Sequence, residues 1–295
     1  FNENSLYDSG AIDNVVKDLK KQNLIYEKEN ATWFRASDAG RDEDRVIIKS
    51  TGEPTYRLPD IAYHKNKFDR KYDLMIDVLG ADHMDAYPDV LAAINKLGCD
   101  TKKMKVVIHQ FVTLTENGEP VKMSTRKAQY ITLNQLIDEV GKDVVRYFFI
   151  MRGTNSHLNF DMSLAKDESD ENPIFYLQYA NARLCNILKH ANSQGFSFDK
   201  NTDLTPLKLD SEIQLIKFLL EFPSIIEKAQ ENLEPQTIAT FLQSLSGMFH
   251  KYYAKERVVT EDEIKTSARL VLVKSLQIVL SNGLSILGLS APDRM

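Results

Sequence analysis

Leu74-Met75-Ile76-Asp77-Val78-Leu79-Gly80 decides how this chain folds. The run is apolar apart from Asp77 and ends in glycine. That is the pattern of a buried parallel strand leading into a binding loop. The residues that follow keep to the same logic. Residues 87–97 read as a helix stopped by Gly98. Residues 104–112 read as the next strand, which passes through the turn Gly118-Glu119-Pro120 into Val121-Lys122-Met123-Ser124-Thr125-Arg126-Lys127. Strand, helix, strand, loop is α/β organisation, and open α/β sheets bind ligands beyond the carboxyl ends of their strands. Gly80-Ala81-Asp82-His83 and residues 121–127 both fall at such ends.

Upstream of this unit, residues 9–21 carry Ile12, Val15, Val16 and Leu19 at amphipathic-helix spacing. Residues 30–35 and 46–49 read as short strands, and residues 57–69 as a helix opening after Thr55. Downstream the pattern changes. Residues 133–140 and 143–151 are short amphipathic helices, and a new helix can begin at Asn172-Pro173. Residues 175–191, 211–230, 235–255 and 261–287 are long helical patterns, with 192–210 as a connecting loop. The fold class is therefore α/β followed by all-α. The boundary is placed near residue 165, giving domains 1–165 and 166–295.

At 295 residues the chain has room for about two domains. A hydrophobic content of 43% and a mean hydropathy of −0.34 describe an ordinary globular composition. No unbroken apolar run approaches the roughly 20 residues a bilayer span needs, so no membrane association is expected. Phe1 is not an initiator, and the chain is expected to be a piece of a longer polypeptide. Cys99 and Cys185 stand without metal-ligand spacing. They suggest a reducing compartment, and both are expected to be buried as small hydrophobes, with no structural metal. The net charge of −5 argues against a grossly electrostatic nucleic-acid binder. Residues 122–152 nevertheless hold six basic against three acidic side chains, a local positive patch.

Several residue groups carry possible chemistry. Lys122, Ser124, Arg126 and Lys127 place three cations and a hydroxyl within six residues. That suits a polyphosphate whose charge shifts during reaction, and the alternative is a solvated basic loop. Tyr56 and Asp60 are four apart, so on a helix both face one way, and a carboxylate beside a phenol can hold a guanidinium. The alternative is a surface pair. Asp82-His83 ends the decisive strand and is either a pocket element or a satisfied local pair. In the strand end at Phe111 and Val112, backbone groups can read an adenine edge over apolar side chains, or the residues are plain core. Tyr176, Tyr179 and Arg183 lie at i, i+3 and i+7. They suit unstacked bases, or are core aromatics of a bundle.

The order Lys122-Met123-Ser124 resembles the Lys-Met-Ser-Lys-Ser signature loop of class I aminoacyl-tRNA synthetases, in the Met-Ser-Thr-Arg-Lys form of arginyl-tRNA synthetases. Asn172-Pro173-Ile174-Phe175-Tyr176-Leu177-Gln178-Tyr179-Ala180-Asn181-Ala182-Arg183 resembles the opening helix of that family's anticodon-binding domain. Phe249-His250-Lys251-Tyr252-Tyr253 through Arg257 resembles a second such helix, and Ser290-Ala291-Pro292-Asp293-Arg294-Met295 resembles the family's C-terminus. The resemblance implies a partial class I (Rossmann-like) catalytic domain followed by an α-helical bundle anticodon-binding domain. It implies catalytic roles for Lys122, Met123, Ser124, Arg126 and Lys127. Tyr56, Asp60 and Asp82 are expected to bind arginine, and His83, Phe111, Val112, Lys122 and Ser124 to bind ATP. Tyr176, Tyr179, Arg183, Tyr253, Arg257 and Met295 are expected to contact tRNA. Pro59, Met84 and Asp85 depart from the family pattern. ATP with Mg2+, L-arginine and arginine tRNA are the implied substrates, for a cytoplasmic monomer.

The chemistry implied is attack of the arginine carboxylate on the α-phosphate of ATP, then transfer of arginine from the adenylate to the terminal ribose of tRNA. No side-chain nucleophile is needed. The second class I signature, His-x-Gly-His, does not occur around any of the six histidines. The chain is thus expected to begin inside the catalytic domain and to be inactive in adenylation by itself. A different class I enzyme, such as one for cysteine, is disfavoured by the missing zinc-ligand cysteines and by the Tyr56/Asp60 pair. A non-catalytic tRNA-binding module of synthetase origin is the alternative from another functional class, but it leaves the Lys122-Met123-Ser124 loop without a purpose.

Overall fold

The decisive strand forms, and its neighbour pairs with it in parallel. In the computed structural model, which describes residues 1–121 and 131–295, the chain divides into two compact units, Phe1–Phe111 and Val112–Met295.

The first unit runs α1 (Asn4–Asp8), α2 (Ala11–Lys21), β1 (Ile25–Lys28), β2 (Ala31–Phe34), β3 (Arg45–Ile48), α3 (Arg57–Asp69), β4 (Met75–Gly80), α4 (Tyr87–Lys96) and β5 (Met104–His109). β1, β2 and β3 make an antiparallel sheet, whereas β4 and β5 pair in parallel from Met75↔Met104 to Gly80↔His109. The core gathers Ile12, Val15 and Leu19 of α2 with Phe34, Ile47, Leu58, Ile61 and Ile94. Val16, the fourth member of the helical stripe, sits at its edge. α3 spans the residues its spacing predicts. Pro59 fits there because it stands in the first turn, where the backbone N–H groups have no intrahelical acceptor.

Three expectations are corrected in this unit. β4 is not buried on both faces: Met75 is inside, but Ile76 is 45% and Val78 66% exposed. Met75, Asp77 and Leu79 are the more buried alternates of the strand, and Asp77 meets His64 and Lys67 of α3. The strand expected over 104–112 ends at His109, and Val112 begins a strand of a different sheet. Cys99 is only half-buried, because it follows the end of α4 and reaches just the margin of the core.

The second unit opens with β6 (Val112–Glu116), β7 (Glu119–Pro120), α5 (Leu133–Val140), α6 (Lys142–Ile150), β8 (Leu158–Asp161) and α7 (Met162–Ala165). β6 lies between β7 and a parallel β8. α5 starts with a reciprocal cap in which Gln135 N donates to Thr132 Oγ1 at 3.2 Å and Thr132 N to Gln135 Oε1 at 2.8 Å. From α8 (Pro173–Ser193) onward the elements are helices: α9 (Asp210–Leu220), α10 (Phe222–Asn232), α11 (Gln236–Lys255) and α12 (Glu263–Ile286). α8 begins as the Asn172-Pro173 pair dictates, the Asn172 side chain accepting from Ile174 N at 3.3 Å and Pro173 occupying the first turn.

The single helix expected over 211–230 is two helices. Pro223 lacks an N–H and its ring would clash with the carbonyl of Leu219, so the chain restarts there with Pro223 in the first turn of α10. α12 has the length and apolar content that alone would suit a bilayer. Its Leu270, Val273, Leu276, Leu280 and Leu284 are instead central to the bundle core, beside Leu177, Leu184, Leu242 and Phe249. One ion pair is sealed within the same bundle. Arg269 of α12 is 1% and Glu212 of α9 0% exposed, with Arg269 Nε 2.8 Å from Glu212 Oε1.

Candidate functional sites

Each unit holds one cavity that matters. In the first, a cavity of about 220 Å³ is walled by residues 76–79 of β4, by α3, by His83 and Ala86 after β4 and by the start of α4. Asp60 and His83, both named from the sequence, line it together with Tyr63, His64, Lys67 and Asp77. Tyr56 and Asp82 do not line it. Tyr56 caps α3 and is 84% exposed, and Asp82 is exposed beside His83, their nearest polar atoms 3.9 Å apart. Phe111, at the end of the first unit, is exposed, and Val112 begins the second. A Cβ at Gly80 would lie 2.5 Å from Asp82 Oδ1, so a larger residue there would displace the exposed Asp82 side chain. Lys122, Met123, Ser124, Arg126 and Lys127 lie outside the described residues.

The cavity's electrostatics come from helix periodicity. Asp60, His64 and Lys67 follow one face of α3. His64 Nδ1 is 2.7 Å from the Asp60 backbone oxygen and Nε2 is 2.7 Å from Asp77 Oδ2. Lys67 Nζ donates to the other Asp77 oxygen. Burial by itself would raise the Asp77 carboxyl, but the hydrogen bonds from His64 and Lys67 outweigh it and bring the group down to about 2. Asp60 goes the other way: burial lifts its carboxyl above the ordinary value, against the pull of His64, His83 and Lys67. One carboxylate is thus held by His64 and Lys67 and ties α3 to β4, while the other faces the cavity with its charge less well compensated. His64, Lys67 and Asp77 were not singled out from the sequence. The signal was there in the i, i+4, i+7 continuation from Asp60.

A stability prediction follows from Asp77. Its folded-state value of about 2 lies below the unfolded 3.8. The stabilisation is therefore complete above the unfolded value and lost as pH falls through the folded one. At about 1.4 kcal/mol per unit it amounts to about 2 kcal/mol. Urea unfolding near pH 7 should find Asp77→Asn less stable than the parent by at least about that amount, and the gap should shrink to less than half by about pH 2.5. A gap that stays constant between the two pH values excludes the assignment.

In the second unit a cavity of about 440 Å³ is lined by Tyr179 and Arg183 of α8, Tyr253 of α11, Arg257 just beyond it, and Met295. Its size falls within the roughly 300–1,000 Å³ typical of ligand clefts. Arg183 lies between two rings, its Cζ 4.8 Å from the Tyr179 centroid and 5.5 Å from that of Tyr253, and it donates to Tyr179 Oη at 2.8 Å. Tyr176 does not line the cavity. Its ring rests 4.9 Å from that of His250. Burial, helped by the Arg183 cation, keeps His250 below the ordinary histidine value. Asn186 and His190 extend the α8 face one and two turns beyond Arg183, and the sequence reading missed them.

Met295 reaches this cavity because the tail is held along its length. Gly288 turns the chain with φ +71°, and Arg146 of α6 donates to the carbonyl of Leu287. Gln178 Nε2 then donates to Asp143 Oδ2 at 2.8 Å and to Ser290 Oγ at 2.9 Å, and Asn181 Nδ2 donates to the Pro292 carbonyl at 3.0 Å. Lys189 pairs with Asp293 at 3.5 Å. The tail thus follows α8 toward Arg183.

Comparison with known proteins matches the chain to two family models in succession. Residues 2–170 match the family described as tRNA synthetases class I (R), catalytic domain, and residues 177–295 match the DALR anticodon binding domain. The arginine–tRNA ligase of Desulfotalea psychrophila is 48% identical over 297 residues, covering 100% of this chain and 54% of that protein. That of Salinibacter ruber is 48% identical over 294 residues, covering 100% and 52%. The chain spans about half the length of the curated relatives it matches. A solved arginyl-tRNA synthetase structure from Campylobacter jejuni aligns with a TM-score of 0.88 at 32% identity, over 100% of this chain and 64% of that one. Thermus thermophilus arginyl-tRNA synthetase shares the fold, with a TM-score of 0.80 at 21% identity, over 97% and 58%. By the extent of the catalytic-domain match and the anticodon-binding match that follows it, this chain belongs to the class I arginyl-tRNA synthetase family.

Proposed function

We propose that this chain is the C-terminal portion of an arginine–tRNA ligase, which activates arginine with ATP and transfers it to the 3′ end of arginine tRNA. Residues 1–165 would be the later part of the catalytic domain and 166–295 the anticodon-binding domain. The observation that carries the reading is the helical cavity. Five side chains named from sequence as tRNA contacts, Tyr179, Arg183, Tyr253, Arg257 and Met295, line one cleft although they come from three separate segments. Aromatic rings and arginines around a cleft can hold unstacked bases of an RNA loop together with their phosphates.

In the first unit, Asp60 supplies a carboxylate facing a cavity that His83 also lines, which suits the guanidinium of arginine. Tyr56 and Asp82, which do not line the cavity, would be engaged when substrate is bound. ATP, as its magnesium complex, takes the region of His83, Phe111 and Val112, with Lys122 and Ser124 on its phosphates and Met123, Arg126 and Lys127 completing that loop. The magnesium belongs to the nucleotide. The reaction is cytoplasmic and the enzyme a monomer in this reading.

Arginine-dependent ATP–pyrophosphate exchange tests the reading. The polypeptide with its upstream half should exchange with arginine and not with lysine or cysteine, and residues 1–295 alone should not exchange. Exchange that depends on another amino acid would overturn the arginine assignment.

A further inference from the structure

Arg183, the cation between the two tyrosine rings of the helical cleft, is held by groups that leave its charge intact. Its Nη2 donates to Tyr179 Oη at 2.8 Å. Its second partner is His250 of α11, a residue that does not itself line the cleft. Arg183 Nη1 donates to His250 Nδ1 at 3.5 Å. A guanidinium cannot accept, so the contact requires Nδ1 to be the accepting nitrogen and places the ring proton on Nε2. Among the described residues the hydrogen-bond partners of Arg183 are thus a phenol and an imidazole, with no carboxylate to offset the cation.

The His250 ring is fixed from both helices. Its centroid lies 5.9 Å from that of Tyr179, with planes 22° from parallel, and 4.9 Å from that of Tyr176. On its own helix it lies 5.4 Å from the ring of Phe249, which also stacks on Tyr253. His250 Nε2 is buried and has no hydrogen-bond partner among the described residues. A ring so placed is hard to charge. Burial and the Arg183 cation of α8 disfavour the imidazolium, and Asp170, just before α8, pulls the other way without prevailing. Tyr176 stays a neutral phenol, its hydroxyl raised by burial and by Asp170.

We propose that His250 is a positioning residue for anticodon recognition: as a neutral acceptor it holds the Arg183 guanidinium between Tyr179 and Tyr253, where an unstacked base and its phosphate would meet it. The role rests on the arginine–tRNA ligase reading of the cleft. A protonated His250 would turn an N–H toward Arg183 and set two cations in contact, so the arrangement should loosen in mild acid. A histidine that merely filled space among the rings would leave anticodon preference indifferent to that proton.

The experiment measures binding of this chain to arginine tRNA, and to the same tRNA with its central anticodon base changed, at fixed salt from about pH 8 down to about pH 5. The parent should prefer the native anticodon at the alkaline end and bind it about tenfold more weakly once pH falls below the ordinary histidine range. His250→Asn places an amide oxygen near the Nδ1 position with no proton to gain, and should keep the preference at every pH. His250→Leu offers no acceptor and should lack most of the preference at every pH. Helical circular dichroism checks folding throughout, and should His250→Leu fail to fold, the parent and His250→Asn decide alone. A parent preference that does not change with pH, a His250→Asn variant as pH-sensitive as the parent, or a well-folded His250→Leu variant as selective as the parent overturns the role and keeps the anticodon reading. A parent with no preference even at about pH 8 removes the anticodon reading together with the role.

Discussion

Arg269→Met should destabilise the helical unit by about 3–5 kcal/mol, a large share of a typical domain's stability. The side chain is enclosed by three elements. It donates to Glu212 of α9, to Glu256 Oε2 at 3.0 Å just after α11, and to the backbone carbonyl of Arg257. Glu212 is further held by Tyr252 Oη at 3.2 Å and by the Leu209 backbone N–H at 3.1 Å. Methionine keeps the aliphatic bulk but leaves a buried carboxylate whose charge nothing offsets, and the uncompensated charge accounts for the cost. The double variant Arg269→Met/Glu212→Leu removes both charges and should recover most of the loss. Urea unfolding followed by helical circular dichroism reads both variants. A single variant that costs no more than about 1 kcal/mol, or a double variant no better than the single, contradicts the account.

Lys122→Ala in the polypeptide that includes the upstream half should slow arginine-dependent pyrophosphate exchange on the order of 100-fold or more. Negative charge grows on the phosphoryl oxygens as the arginine carboxylate attacks the α-phosphate. A cation placed there contributes most when that charge is greatest, so its loss raises the barrier by a few kcal/mol. The effect should fall on the exchange rate more than on the KM for arginine, since Lys122 is assigned to the phosphates. Anticodon-dependent tRNA binding, by contrast, should not change. A loss of about threefold or less, near 0.6 kcal/mol, removes Lys122 from the mechanism.

The sequence was most legible where chemistry and periodicity coincide. The α3 helix over Arg57–Asp69 follows from its spacing, and the α8 start follows from Asn172-Pro173. Tyr179 and Arg183, four apart on α8, meet Tyr253 across the cleft. The parallel pairing of β4 with β5 was likewise legible, because a crossover helix between two apolar runs leaves few other arrangements. What escaped the reading depended on partners distant in sequence. β8 could not be inferred from Leu158-Asn159-Phe160-Asp161, which becomes a strand by pairing with β6. The break between α9 and α10 turns on Pro223 within an otherwise continuous apolar pattern. Asp77 looked like an interruption in an apolar strand and is instead the partner of His64 and Lys67. Tyr56 was paired with Asp60 by helical spacing, but its place at the helix cap leaves it pointing into solvent. Within these 295 residues β4 finds cover on one face only, in a chain that spans about half the length of its relatives.

The measurement that bears most directly on the central claim is binding of this chain to arginine tRNA and to the same tRNA with its central anticodon base changed, across a salt series. The Tyr179, Arg183 and Tyr253 cleft predicts tighter binding of the native anticodon, and a preference that persists as phosphate contacts are screened. Equal affinity for the two tRNAs, falling steeply with salt, would contradict it and leave the cleft as a generic phosphate contact.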